Sequence, residues 1–202
     1  MFTLTKYRSA IRSYINTTLS DATLNQIIND GYKDVCVKAL CYETQLTKNN
    51  ITDKLVSLVG DKVVKVLFVE YYGKPIGMQR VVPNVVGVAP ISGSAPQFWF
   101  QWGDYLYVEP FPDVETYDLY AYAACLPPTI LSSDSDYPVF SAEYHEDLLN
   151  FSIAFAFLKL KKWGEASYFY NKYIRSVQGK RKARLSTRAD REIPDIVRFE
   201  NA

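Results

Sequence analysis

Residues 141–164, SAEYHEDLLNFSIAFAFLKLKKWG, constrain the fold more tightly than any other stretch. Ser141 is placed to cap a helix, and Glu143, Glu146 and Asp147 put negative charge on its first turns. Lys159, Lys161 and Lys162 put positive charge on the last turns, and Gly164 stands where a left-handed residue would end the helix. Between Leu148 and Leu160 only Asn150, Ser152 and Lys159 are polar. A helix that is apolar nearly all round belongs at the centre of a helical unit, with other helices on every side. It falls short of the roughly 20 apolar residues that cross a bilayer, so no membrane partner is expected.

The flanking segments supply those other helices. Leu4, Tyr7, Ile11 and Ile15 recur at helical steps and predict a first amphipathic helix. A second is expected from a Ser20 cap to about residue 41, with Leu24, Ile27, Ile28, Val35 and Ala39 on its face and Gly31 as its weak point. Ala166, Phe169, Tyr173, Ile174 and Val177 predict a fourth helix from 165 to about 180. Between the two pairs, β-branched and aromatic residues take over. Residues 51–59, 62–72 and 76–82 are expected as strands, with turns at Gly60-Asp61 and Gly73-Lys74-Pro75 and a loop over 83–96. Phe98, Phe100 and Trp102 then share one face of a strand, Gly103-Asp104 turns the chain, and YLYVE returns. Residues 116–126 alternate again, with Tyr117, Leu119, Ala121 and Ala123 on one side. The expected fold class is α+β: an antiparallel four-helix bundle with an inserted antiparallel β meander of about five strands and an extended C-terminal arm. The boundaries are 1–50 for the first helix pair, 51–126 for the meander, 127–182 for the second helix pair and 183–202 for a docking arm.

Net charge is +1 over 202 residues, so no global field declares a nucleic acid or a membrane as partner. The distribution is uneven. Residues 175–191 hold seven Lys or Arg against Asp190 alone, which is +6 and leaves −5 on the rest of the chain. From 90 to 138 there is no Lys or Arg, whereas Asp104, Glu109, Asp113, Glu115, Asp118, Asp134 and Asp136 all fall there. Aromatic strands on so acidic a stretch would repel phosphate, which points to a sheet core or a protein interface rather than to base stacking. Cys36, Cys41 and Cys125 form no CxxC pair and are expected as reduced thiols, Cys36 and Cys41 as small core residues. Residues 1–13 lack the apolar core of a secretion signal, so synthesis in a cytoplasm is expected and the glycosylation patterns at Asn16 and Asn50 carry no weight.

Catalytic chemistry has little to use. His145 is the sole histidine, so a hydrolase of the Ser-His-Asp or Cys-His type must run through it; a surface or interface histidine is the simpler role. Gly73-Lys74-Pro75 lacks the spacing of a phosphate loop, and Ser133-Asp134-Ser135-Asp136 lacks the glycine and distal glutamate of a calcium loop. No cluster has zinc-ligand spacing. The expectation is therefore no catalytic residue, no metal, no cofactor and no enzyme. The basic stretch Lys180, Arg181, Lys182, Arg184, Arg188 and Arg191 remains. It is followed by Ile193, Ile196, Val197 and Phe199, too few apolar residues to form a core. It can be a solvated helix end, an anchor on an acidic neighbouring protein, or a contact to nucleic acid.

Several stretches match one family in order: TLNQIINDGY at 23–32, WGDYLYVEPFPD at 102–113, Tyr117-Asp118-Leu119 through Leu126-Pro127, Asp134-Ser135-Asp136, and EYHEDLL at 143–149. Their order resembles the head–tail adaptor (connector, or head-completion) proteins of tailed bacteriophages, over about residues 5–178. The resemblance implies a structural virion protein at the head–tail interface, made in the host cytoplasm. It implies a homo-oligomeric ring, commonly dodecameric, that binds the portal protein above and tail or nozzle proteins below. Genomic DNA would pass through the channel without sequence-specific binding. The resemblance also implies that the C-terminal segment reaches the portal or a neighbouring subunit, which assigns that role to Lys180, Arg181, Lys182, Arg184, Arg188, Arg191, Ile196, Val197 and Phe199. The alternatives are a nucleic-acid-binding module built on the basic arm, and a hydrolase using His145.

Overall fold

The computed structural model describes residues 2–15, 19–53, 55–78, 96–109 and 116–192. The chain forms two units, one from Met1–Ala39 with Leu131–Ala202 and one from Leu40–Ile130. Asn16-Thr17-Thr18, most of the 83–96 loop, residues 110–115 and the apolar Ile193, Ile196, Val197 and Phe199 lie outside the described residues.

The first unit holds α1 (Leu4–Tyr14), α2 (Asp21–Ala39), α3 (His145–Lys159) and α4 (Trp163–Glu192), with a 3₁₀ turn at Ala142–Tyr144 leading into α3. Helix α3 packs against each of the other three, which is why Leu148, Phe151, Ile153, Ala154, Ala156 and Phe157 can all be buried although they point in different directions. Ser20 caps α2 as expected, its hydroxyl accepting from Thr23 N at 3.3 Å. Ser141 makes no such bond; its hydroxyl donates to Glu143 Oε1 at 3.0 Å. The left-handed residue that ends α3 is Lys161 (φ +59°), not Gly164, which lies in the first turn of α4. Lys161 N donates to Leu158 O and Lys162 N to Phe157 O, each at 3.0 Å. This Schellman pair satisfies the last carbonyls of α3.

Helix α1 is tied to the link that precedes α3. Leu4 N donates to Asp136 O at 2.8 Å, while the Asp136 carboxylate accepts from Ser132 N and Ser133 N at 2.8 Å each. Arg8, 8% exposed, pairs with Asp134 and with Asp21. The two aspartates of the would-be calcium loop thus build a turn and hold α1.

The second unit is one sheet of β1 (Glu43–Ile51), β2 (Leu55–Ser57), β3 (Val63–Tyr71), β4 (Lys74–Met78), β5 (Phe98–Trp102), β6 (Tyr105–Glu109) and β7 (Tyr117–Cys125). Its order is β1-β7-β3-β4-β5-β6-β2. Val56, Val66, Val69, Trp99, Leu106 and Leu119 share one buried cluster although their strands are far apart in that order. The sheet therefore curls round a single core, close to a barrel. Gln101 helps it curl: its side-chain Oε1 accepts from Val66 N at 2.7 Å, at a register shift between β3 and β7. The β5–β6 hairpin turns at Gly103-Asp104 as expected, with Trp102 opposite Tyr105 and Gly103 at φ +57°, a conformation that suits glycine.

These observations correct the expected four-helix bundle with an inserted meander and extended arm. Strand β4 runs parallel to β5, and β7 inserts between β1 and β3, neither of which a meander permits. Strand β1 escapes sequence analysis because ETQLTKNNI is mostly polar; it is an edge strand whose partner, β7, lies some 75 residues away. Nor are residues 183–192 of the arm extended, because α4 continues unbroken to Glu192. Its Lys, Arg, Ala and Leu residues are good helix formers, and only core-seeking periodicity stops near 180.

Gly31 lies where α2 packs directly on the side chains of α3. A Cβ there would sit 2.5 Å from Phe151 Cδ1 and 2.8 Å from Leu148 Cδ1. Phe151 is itself wedged against Tyr173 (centroids 5.4 Å) and Phe155 (4.2 Å), so it has little room to yield. Gly31→Ala should gain about 1 kcal/mol of helix propensity and lose about 2 to overpacking, for a net loss near 1 kcal/mol in urea unfolding. Gly31→Leu should lose several-fold more. A raised urea midpoint for Gly31→Ala would show that Phe151 gives way.

Candidate functional site

The basic segment that sequence analysis singles out divides into two faces. Lys180 Nζ donates to Asp147 Oδ2 at 2.6 Å and to the Glu143 carbonyl, and lies 5.2 Å from the centroid of the Tyr144 ring. Arg184 Nη1 donates to the Tyr144 hydroxyl at 3.3 Å, and Lys172 pairs with Glu146 at 2.8 Å. Steps of eight and four residues keep Lys172, Lys180 and Arg184 on one stripe of α4, at 100° per residue. That stripe meets the start of α3. The Asp147 carboxylate is only 1% exposed, so its charge is held almost wholly by Lys180. Arg181 and Lys182, by contrast, are exposed. Arg188 and Arg191 lie on the α4 backbone, beyond this contact. The structure thus gathers Lys180 and Arg184 into an internal anchor and leaves Arg181 and Lys182 facing outwards.

Sequence analysis does not point to Asp147 and Tyr144 as partners of the basic segment. The signal was present as charge complementarity: three acids at 143–147 and a run of bases at 180–184. Taken alone, the acids are fully accounted for by the helix dipole, so nothing local pointed across to α4.

His145 sits among aromatic rings. Its Nδ1 shares a 2.5 Å hydrogen bond with the Tyr7 hydroxyl, and its ring lies 5.6 Å from Phe140 and 6.0 Å from Phe2. Burial lowers its pKa below the ordinary 6.5. Burial likewise pushes the Tyr7 hydroxyl above its ordinary range, so Tyr7 stays neutral. The three cysteines are buried and form no disulfide with one another, and burial raises Cys125 to about 11. Among the described residues no group of three His, Cys, Asp or Glu could hold a metal, and no helix is long and apolar enough to cross a membrane.

A second feature is on the sheet. Phe98, Phe100 and Trp102 share a face, as expected, but the core takes the opposite side of the hairpin: Trp99, Leu106 and Val108. Phe100 stacks on Tyr107 (4.6 Å, 10°), and Phe98 and Trp102 remain 45% and 59% exposed. The face therefore shows solvent its two ends, Phe98 and Trp102, while Phe100 between them is only 6% exposed.

Compared with known protein families, the chain matches the SU10 adaptor protein family over residues 3–195. The chain belongs to that family. The match runs through both units and bears out the resemblance to phage head–tail adaptors. Membership makes the chain a structural component of a phage virion, working among portal and tail proteins. No curated protein matches the chain.

Two outcomes follow from the anchor and the histidine. Lys180→Met strands the buried Asp147 charge and should cost about 3 kcal/mol in chemical denaturation, whereas Lys180→Met with Asp147→Asn should recover most of it. A single variant as stable as the parent would show that water, not Lys180, carries Asp147. For His145 the unfolded chain binds the proton more readily than the folded one. The stability it contributes is complete above pH 6.5 and declines as pH falls through that value towards the lower folded pKa. The melting temperature should fall between pH 7.5 and pH 5.5, and His145→Gln should flatten that slope.

Proposed function

We propose that the protein is one subunit of a homo-oligomeric ring that binds below the portal and joins it to the tail around the DNA channel. The family match over 3–195 carries this proposal. The charge distribution supports it. The acidic 90–138 stretch suits a surface that DNA slides past, and a basic segment suits a clasp on an acidic partner, where complementary charge speeds docking and fixes register. The docking arm, residues 183–202, begins on α4 and carries Arg184, Arg188, Arg191, Ile196, Val197 and Phe199; together with exposed Arg181 and Lys182 it reaches the portal or a ring neighbour. Lys180 serves it indirectly, by holding α4 against α3 so that the arm leaves the subunit in a fixed direction.

The +6 charge of residues 175–191 favours one second reading, in which this helix contacts nucleic acid. A hydrolase reading has less support, because the neighbours recorded around His145 are Tyr7, Phe2 and Phe140, none of them a serine or cysteine nucleophile or a carboxylate.

The test is co-sedimentation with purified portal rings, using the full chain and a chain lacking residues 183–202. The truncated chain should stay folded, melting slightly lower because the Arg184–Tyr144 bond is gone, and should bind portal rings at least about tenfold more weakly. Equal binding would reduce the arm to a solvated end. Binding of free duplex DNA by the full chain, with affinity falling steeply between about 50 and 200 mM salt, would favour the nucleic-acid reading instead.

A further inference from the structure

The outer face of the β5–β6 hairpin carries exposed aromatic side chains that the fold does not use. Trp102 and Tyr105 face each other across the hairpin, 59% and 41% exposed, and Phe98 is 45% exposed further along the same face. Between them Phe100, itself only 6% exposed, stacks on Tyr107. Asp104 at the turn is exposed, and Glu109, opposite Phe98, is half-buried. The sequence from 90 to 138 contains no Lys or Arg. Exposed rings beside carboxylates form a surface suited to guanidinium and ammonium groups, which stack on the ring faces and pair with the acids. The same chain carries such groups on its other unit, at exposed Arg181 and Lys182 within the +6 segment of α4.

We infer that the aromatic, acidic hairpin of one copy receives the basic outer face of α4 from a second copy. The contact is head-to-tail: two different surfaces meet, and each copy keeps one of each free. Contacts of that type propagate, closing into a ring when the rotation per step allows. The inference rests on the ring proposal and assigns it a surface. Trp102 is the anchor, since an aromatic in the centre of an interface carries a disproportionate share of its affinity. Arg181 and Lys182 supply the charge, and Lys180, committed to Asp147, does not take part.

Sedimentation velocity of the full chain over a concentration series tests this, at about 50 and 500 mM salt, between which screening of exposed charge becomes severe. The unaltered chain should form species larger than a dimer, more readily at low salt. Trp102→Ser and, separately, Arg181→Glu with Lys182→Glu should each weaken association at least about tenfold, with melting temperatures unchanged. An equimolar mixture of the two variants should form dimers and nothing larger, because only one intact hairpin and one intact helix can then meet. Variants that associate like the parent, larger species in the mixture, or an unaltered chain that stays monomeric at about 0.5 mM would each overturn the inference. Binding of the unaltered chain to portal rings, measured alongside, fails only if the ring proposal itself fails.

Discussion

The structure of the helical unit depends on the all-round burial of α3. A helix with no polar side must be covered on every side, and this one is covered by segments from both ends of the chain: α1 and α2 before the sheet, α4 after it. Coverage at close range sets the residue sizes. Gly31 lets α2 approach, and the facing positions on α3 carry Phe151 and Leu148. Where α3 does carry a buried charge, at Asp147, α4 must bring the opposite one, because an isolated carboxylate at that depth would be far costlier than a paired one. Tyr173 solves a related problem. Fully buried on α4, it donates its hydroxyl to Asp34 of α2 at 2.5 Å, and Lys38 holds the same carboxylate at 2.7 Å.

What could be read from the sequence divides along contact range. Helices α1, α2 and α3 announce themselves because apolar spacing and charges at the helix ends are local, and Leu4, Tyr7, Leu24, Ile28 and Leu148 are buried as the spacing requires. The β5–β6 hairpin is legible for the same reason, through Gly103-Asp104. The sheet order is not. Residues 43–51 carry few apolar side chains, so only their pairing with β7 makes them a strand, and no window of sequence contains that pairing. Within strands, alternation identifies two faces but not which one the core takes. Phe98 and Trp102 look more like core residues than Gln101 does, yet both are exposed, while Gln101 lies on the face that Trp99 and Leu106 turn to the core.

The site follows the same rule. A run of Lys and Arg is visible in any sequence, but its division between an internal stripe and an outer one is set by what lies across from it. Lys180 differs from Arg181 only in that Asp147 stands opposite. A charge count treats the two alike, although one holds the subunit together and the other is exposed.

The pairing of β1 with β7 has a bearing on how the chain comes to be folded. Glu43 lies opposite Ala124, so one strand pair spans the whole insertion between α2 and the link to α3. Joining the two halves of the helical unit across about 80 free residues would cost roughly 4 kcal/mol of chain entropy, and a sheet already formed has met most of that cost. During synthesis at about 5–20 residues per second, α1 and α2 wait several seconds for α3 to emerge, with Leu24, Ile28 and Val35 uncovered. In a cell producing many copies at once, that interval is when these faces can find the wrong partner, and a β1–β7 clasp already closed when α3 emerges shortens the search that ends it.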